Sequence, residues 1–134
     1  MIYKHYKGGL YLMVGYATRI SKEFNEKLEL VEVAKHTETE ECISVYIAHD
    51  KDTQGSHYVF ESDKNHDGIL CFYKDLEGNH WLRPKNMFFE DVVVDEGIVP
   101  RFQKMTGELL FKSIGDLLEQ EMEAVADILE KKYK

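Results

Sequence analysis

The chain has 134 residues, which fits a single domain, and 43% of them are hydrophobic while 31% are charged. This composition argues against intrinsic disorder of the chain as a whole. Acidic residues outnumber basic ones by 25 to 17, giving a formal net charge of −8. We therefore expect no general binding to nucleic acids, because the phosphate backbone would be repelled.

The N-terminal segment lacks the apolar core of a signal peptide, because Lys4, His5 and Lys7 interrupt its apolar residues. No stretch approaches the ~20 apolar residues that span a bilayer. We therefore predict a cytoplasmic protein. Its two cysteines, Cys42 and Cys71, are interpreted as small buried thiols rather than as a disulfide or a metal-binding pair.

Residues 1 to about 105 contain short runs of aliphatic, aromatic and β-branched residues between polar turns, a pattern typical of a β-barrel or sandwich. The predicted strands cover residues 10–14, 28–34, 42–47, 57–60, 69–73, 80–83, 88–94 and 98–99. We expect the strands at 57–60 and 69–73 to form a hairpin, and we expect no helix between Arg83 and Val94.

The composition changes at Thr106, after which leucine, glutamate, lysine and alanine dominate and proline is absent. Apolar residues recur there at spacings of three and four, a helical pattern: Phe111, Ile114, Leu118, Met122, Val125, Leu129 and Tyr133. We predict a barrel domain over 1–105 and a helix over 106–134. Such a helix would be about 40 Å long, so it either breaks at Gly115 or packs on a second copy of the chain.

Several less common residues follow one another in a specific order between Tyr3 and Phe102. The first group is Tyr3, His5, Tyr6, Lys7 and Gly8, followed by Tyr11 and Val14. The second is the run Val33-Ala34-Lys35-His36-Thr37-Glu38-Thr39-Glu40-Glu41, with Val45 and Tyr46 after it. The most specific group is Trp81, Arg83, Pro84, Met87, Phe88 and Glu90, closed by Pro100, Arg101 and Phe102. This order resembles a small bacterial and phage domain family described as a domain of unknown function.

The resemblance implies an SH3-like β-barrel, so the expected fold class is α+β: a small, mostly antiparallel barrel with insertions, followed by a long C-terminal helix. The extra residues lie from Thr18 to Leu30 and from His49 to Gly68. Because the family has no established activity, the resemblance implies a fold and little function.

Three kinds of catalytic or metal site were considered and disfavoured. Asp63, Asn65, Asp67 and Gly68 match the start of a calcium loop, but Lys74 stands where a bidentate glutamate is needed, so a polar turn is favoured. His49, His57 and His66 fit no zinc spacing and are interpreted as solvated loop residues. No serine or cysteine lies in a recognised nucleophile motif. We expect no cofactor, no bound metal and no catalysis.

The strongest candidate for binding combines two arginines with aromatic residues. Arg83 follows Trp81, Arg101 precedes Phe102, and Phe88 lies between them in the chain. With His5 and Lys7 at the same end of the barrel, these residues could hold a phosphate while a ring stacks on a base. The alternative is structural, with the arginines bonding strand-end carbonyls and the aromatic residues filling a core.

Two functions are favoured over a third, an enzyme with an unrecognised site. The first is a non-catalytic, phage-encoded protein that sequesters a small anionic, nucleotide-type ligand in a host–virus conflict, with the following ligand-binding residues: Arg83, Arg101, Trp81, His5, Lys7 and Phe88. The second is a protein-interaction or inhibitor module that binds a host protein through its acidic surface or an aromatic groove. Either form would assemble as a homo-oligomer through the C-terminal helix.

Overall fold

The computed structural model describes residues 1–20, 27–49, 55–62, 64, 66, 68–107 and 119. Its strands are β1 (Ile2–His5), β2 (Leu10–Arg19), β3 (Lys27–His36), β4 (Cys42–His49), β5 (Ser56–Glu61), β6 (Leu70–Asp75), β7 (His80–Pro84), β8 (Asp91–Val94), β9 (Gly97–Pro100) and β10 (Phe102–Lys104). One helical turn, α1 (Lys85–Phe88), follows β7. No helix in this described part of the chain is long and apolar enough to cross a membrane.

Six strands close into a barrel in the order β2-β5-β4-β3-β7-β6, with β6 returning to β2. The pairs β2–β5 and β3–β7 are parallel and the other four are antiparallel, so the sheet is mixed. The predicted small, largely antiparallel barrel is confirmed at this level. The prediction of a long C-terminal helix concerns residues that lie almost entirely outside the described part of the chain.

β5 is a barrel strand although it lies in the segment interpreted as an insertion. Ala17 of β2 pairs with Tyr58 of β5 on one side and with Leu70 of β6 on the other. β2 therefore separates the two strands that were expected to form a hairpin, and that prediction is wrong. Adjacent apolar runs in the sequence do not determine pairing, because the long strand β2 can pair along both of its edges.

The helix α1 corrects a second prediction. The run from Phe88 to Val94 was predicted to be one long strand, and no helix was expected between Arg83 and Val94. Instead Phe89 donates its backbone N–H to the carbonyl of Lys85, and the strand β8 begins only at Asp91. Short apolar runs are ambiguous between helix and strand, and here the helical turn places Phe88 in a buried cluster.

Two apolar clusters stabilise the fold. The first fills the barrel and includes Val45, Phe60, Phe72 and Leu82, all of them fully buried. The second consists of Tyr3, Cys71, Tyr73, Phe88 and Phe102, with Tyr11, Met13 and Trp81 packed against it. Successive side chains of a strand point to opposite faces, so Phe72 lies in the first cluster while its neighbours Cys71 and Tyr73 lie in the second.

Candidate functional site

β7 supplies two of the predicted binding residues to the outer face of the barrel. Leu82 points into the barrel core, so Trp81 and Arg83 point away from it. On the neighbouring strand β6, Tyr73 pairs with Trp81 and Cys71 pairs with Arg83. This pairing brings the indole and the guanidinium onto the same face as the second apolar cluster.

A pocket of about 200 Å³ opens on this face. Four of its residues are aromatic and come from four different strands, and Arg83 supplies its one formal positive charge. The lining residues are His5, Tyr11, Thr37, Tyr73, Trp81, Arg83 and Phe102. The sequence-predicted residues His5, Trp81 and Arg83 are therefore brought together.

Arg83 is held against aromatic rings rather than against a carboxylate. Its guanidinium carbon lies 5.3 Å from the ring centroid of Phe102, within cation–π range. The side chain also hydrogen-bonds to Tyr73, whose pKa burial raises to about 12, against the lowering effect of Arg83. The buried Nε of Arg83 has no hydrogen-bond partner among the described residues. The Nε of Arg101 shares this feature, so it does not distinguish the two arginines.

His5 contributes a hydrogen-bond donor to the pocket. Its Nδ1 accepts the backbone N–H of Lys7 at 3.2 Å. When the ring is neutral, this bond assigns the proton to Nε2. Burial lowers the pKa of His5, and the positive charges of Arg83, Arg101 and Lys7 lower it further. The neutral ring is therefore favoured.

Trp81 is fixed by the tight turn between β6 and β7. Its indole Nε1 donates to Oδ2 of Asp75 at 3.2 Å. The other carboxylate oxygen of Asp75 accepts the backbone N–H groups of Glu77 and Asn79. Burial alone would raise the pKa of Asp75, but these hydrogen bonds together outweigh burial and lower it. An ionised carboxylate thus orients the indole.

The other three predicted residues do not line this pocket. Arg101 donates to the carboxylate of Glu90, whereas the structural interpretation of the arginines expected strand-end carbonyls as partners. Lys7 is exposed, with its ammonium 5.7 Å from the ring centroid of Tyr6. Phe88 is fully buried and stacks on Phe102 with ring centroids 4.1 Å apart. Phe88 therefore supports the pocket wall from within the protein.

Sequence reasoning missed three aromatic wall residues and Thr37. Tyr11 and Phe102 belong to the motif groups of the resemblance, which was a usable signal, and Tyr73 lies in a predicted strand. They line one pocket because β1 pairs with both β2 and β10, β2 pairs with β6, and β6 pairs with β7. No local sequence pattern specifies these strand pairings.

A second polar cluster connects the β5–β6 segment to the end of β3. His66 contacts Glu41 at 2.8 Å, and Ser62 donates its hydroxyl to the other oxygen of Glu41 at 2.7 Å. The His66 ring stacks on buried His36 with centroids 4.3 Å apart. The interpretation of His66 as a solvated loop residue is therefore wrong. Because Ser62 bonds the carboxylate and not an imidazole, the contact does not form a serine–histidine nucleophile pair.

The remaining sequence predictions have mixed outcomes. Cys71 is buried as predicted, and burial raises the pKa of its thiol to about 12, but Cys42 is exposed and its prediction is wrong. His49 and His57 are exposed, as expected, but they lie on strands rather than in loops. Gly68 has a φ of 82°, the left-handed conformation expected of a turn. The other calcium-loop positions, Asp63, Asn65 and Asp67, lie outside the described residues.

Comparison with known proteins identifies the family but no function. No curated protein and no solved structure gives a significant match to the chain. A family model described as a protein of unknown function (DUF1653) matches residues 24–104, more than half of the chain. This range contains Trp81, Arg83 and Arg101, whereas the first group, Tyr3 to Val14, precedes it, so the resemblance is confirmed over a shorter range than expected. The chain belongs to the DUF1653 family.

Proposed function

We propose that this protein binds a small anionic ligand, without catalysing a reaction, in the pocket lined by Arg83, Trp81 and His5. The observation that carries the proposal is the position of Arg83 in a pocket whose described lining is rich in aromatic residues and contains no carboxylate. A guanidinium placed in this way can form a charge-assisted hydrogen bond with an anionic ligand. We also propose that the barrel is SH3-like and that the protein is cytoplasmic.

The surroundings of Arg83 favour ligand binding over a purely structural role. A guanidinium that stabilised the fold through charge would be expected to face a carboxylate, as Arg101 faces Glu90. Arg83 instead lies over Phe102 in a protein whose net charge is −8. Four of the lining residues are aromatic, and an apolar surrounding strengthens a charge-assisted hydrogen bond.

Calorimetric titration with nucleotides, inorganic phosphate and small carboxylates tests the proposal. Arg83→Ala should abolish binding of whichever anion the wild type binds, and Arg83→Lys should restore only part of it, because lysine lacks the planar fork of donors. Arg19→Ala is the matched control, since Arg19 bonds the carbonyl of Ser62 and does not line the pocket. Its affinity should equal that of the wild type.

The structural alternative makes a different prediction for the same variants. If Arg83 served only the fold, Arg83→Ala would lower the free energy of unfolding by ~1–3 kcal/mol and no anion would bind the wild type. Because Arg83 also hydrogen-bonds to buried Tyr73, a loss of stability of this size is expected under either role, and anion binding that the wild type shows and Arg83→Ala lacks is the outcome that supports the proposal. Thermal melting and titration on the same samples distinguish the two.

A second candidate function is binding to a partner protein through the β8–β9 hairpin. Val93 and Ile98 face each other across this hairpin and are 83% and 71% exposed. Exposed Asp95 and Glu96 form the turn beside them, so a basic partner surface with an apolar centre would be complementary. Replacing Val93 and Ile98 together by serine should abolish co-purification of such a partner and leave anion binding intact.

A further inference from the structure

We infer that the pocket is selective for a compact aromatic monocarboxylate rather than for a phosphate or a whole nucleotide. The inference rests on the proposed function and names the ligand class of the same site. It follows from the volume of the pocket, from the charges around it, from the donors that line it and from the shape of its walls.

The volume limits the ligand to a small group. Pockets that enclose drug-sized ligands have volumes of roughly 300–1,000 Å³, whereas this one has about 200 Å³. The pocket is also open to solvent, so its volume limits the part of a ligand that it can enclose, about one ring with one anionic group. The remainder of a larger ligand such as a nucleotide would lie outside the aromatic walls.

The charges around the pocket balance one negative charge, not two. Among the described residues, Arg83 is the only formally charged one in the lining. Arg101 is already paired with Glu90, and Lys7 lies outside the lining. The carboxylate of Asp75 on the indole edge of Trp81 adds a negative charge nearby. A second negative charge on the ligand would therefore be desolvated without a partner.

The hydrogen-bond donors of the pocket suit a carboxylate, which carries one negative charge, better than a doubly charged anion. Arg83 offers a planar fork of N–H groups, which suits the two oxygens of a carboxylate. His5 adds an uncharged donor, its Nε2–H, since Nδ1 accepts the Lys7 N–H. Protonating His5 would require a proton on Nδ1, and that proton would displace the Lys7 hydrogen bond. The positive charges of Arg83, Arg101 and Lys7 also oppose protonation of His5. Tyr11 and Tyr73 line the same pocket and add no charge while their hydroxyls are protonated.

The walls favour a flat apolar body on the carboxylate. Tyr11, Tyr73 and Phe102 contact one another edge to face, with centroids 5.5 to 5.7 Å apart. Trp81 lines the pocket beside them, fixed through its bond to Asp75. Aromatic rings make favourable edge-to-face and offset contacts with a further ring. A ring on the ligand therefore adds binding energy that acetate lacks.

The probes for the test are benzoate, acetate, phenyl phosphate and adenosine monophosphate, titrated calorimetrically at pH 8. At this pH a phosphate monoester is largely a dianion, because its second pKa is about 6. We expect benzoate to bind at least about tenfold more tightly than phenyl phosphate or acetate, a difference of one decade in Kd. Adenosine monophosphate should bind no more tightly than phenyl phosphate.

Variants show whether the binding occurs in this pocket. Arg83→Ala should abolish benzoate binding and Arg19→Ala should not. His5→Gln keeps an uncharged N–H donor and should retain affinity within about threefold, whereas His5→Leu should lose about tenfold, a typical effect of one hydrogen bond to a charged group. Equal benzoate binding by wild type and Arg83→Ala would contradict the inference, because the ligand would then bind elsewhere.

The failure of the inference can be distinguished from the failure of the proposed function. If phenyl phosphate or adenosine monophosphate binds more tightly than benzoate, and Arg83→Ala abolishes that binding, the anion site stands and the selectivity for a monocarboxylate is overturned. If none of the four probes nor any anion of the wider panel binds the wild type, both the inference and the proposed function are overturned.

Discussion

Phe88 and Phe89 are chemically identical neighbours that lie in opposite environments. Phe88 has no exposed surface and contacts Tyr3, Tyr73 and Phe102, whereas Phe89 is 43% exposed. Two adjacent rings would point to different sides in a strand as well, so the sequence alone does not say which of them is buried. In the structure, the single turn of α1 directs Phe88 inward.

This difference predicts unequal effects of the same substitution. Phe88→Ala should lower the free energy of unfolding by roughly 3–5 kcal/mol, since it leaves a cavity among buried rings. Phe89→Ala is the matched control and should cost less than about 1 kcal/mol. Urea denaturation of the two variants measures both values, and a similar loss in the two would contradict the assigned burial.

His36 gives the protein a pH dependence. It is 2% exposed, and its Nδ1 accepts the backbone N–H groups of Glu38 and Thr39. Burial lowers its pKa from the ordinary value of 6.5, and the neighbouring His66 lowers it further, although Glu38 and Glu41 act in the opposite sense. The unfolded chain therefore binds this proton more readily than the folded one.

We expect the free energy of unfolding to be highest above about pH 6.5 and to fall as the pH decreases from 7 to 5, because protonation then favours the unfolded chain. His5, whose pKa is also lowered, contributes in the same direction. The lowered pKa of Glu41 acts in a separate window, below its ordinary value of 4.5. Urea denaturation at several pH values measures the slope.

A variant assigns this slope to His36. His36→Asn keeps a side-chain acceptor for the Glu38 and Thr39 N–H groups but cannot be protonated, so its slope between pH 7 and 5 should be smaller than that of the wild type. His49→Gln, which removes an exposed imidazole, serves as the control. An unchanged slope in His36→Asn would show that other groups account for the pH dependence.

At the level of secondary structure, β2 is the strand that organises the sheet. It pairs with β1 and then with β5 along one edge and with β6 along the other. Its register shifts between Met13 and Gly15, at an irregularity that lets one strand serve both the barrel and the sheet extension. At Gly15 the ring of Tyr58 approaches the backbone closely.

The close approach predicts that β2 does not tolerate a side chain at residue 15. A Cβ on Gly15 would lie 2.7 Å from the ring carbons of Tyr58, which is shorter than a normal contact. Gly15→Ala should therefore lower the free energy of unfolding by about 1–3 kcal/mol. In a Tyr58→Leu background the same change should cost less than about 0.5 kcal/mol, because the ring is gone. Equal costs in both backgrounds would contradict the contact.

The segment from β5 to β6 shows why extra residues were hard to interpret. The stretch from His49 to Gly68 appeared to be an insertion with a function of its own. It supplies β5, which pairs with β4 and β2 and closes the barrel. His66 and Ser62 then tie its second half to Glu41, which precedes β4. This stretch therefore contributes to the scaffold.

On the scale of the whole molecule, the surface is acidic but the candidate pocket is not. The net charge of −8 will repel anions at a distance, while Arg83 attracts one at close range. Added salt screens the long-range repulsion more than the contact inside the pocket.

The C-terminal residues lead to a prediction about assembly. The apolar positions of 106–134 recur with helical spacing, and we propose that they join two or more copies of the chain. Light scattering at tens of micromolar should give a mass above 15.7 kDa, and Leu118→Glu or Val125→Glu should reduce it to that of the monomer. A monomeric wild type that neither variant changes would contradict this proposal.

The sequence by itself determined the strand-rich character of the chain and most of the strand positions, and it grouped Trp81, Arg83 and His5, which line one pocket. These features follow from local patterns, namely alternation, turn residues and the order of less common residues. Only the tertiary structure decided that β2 separates β5 from β6, that Phe88 is buried, that Glu90 pairs with Arg101, and that Tyr11, Tyr73 and Phe102 form the walls around Arg83. The physical reason is that strand pairing joins residues distant in the chain, and alternation specifies which face a side chain takes but not which strand lies beside it.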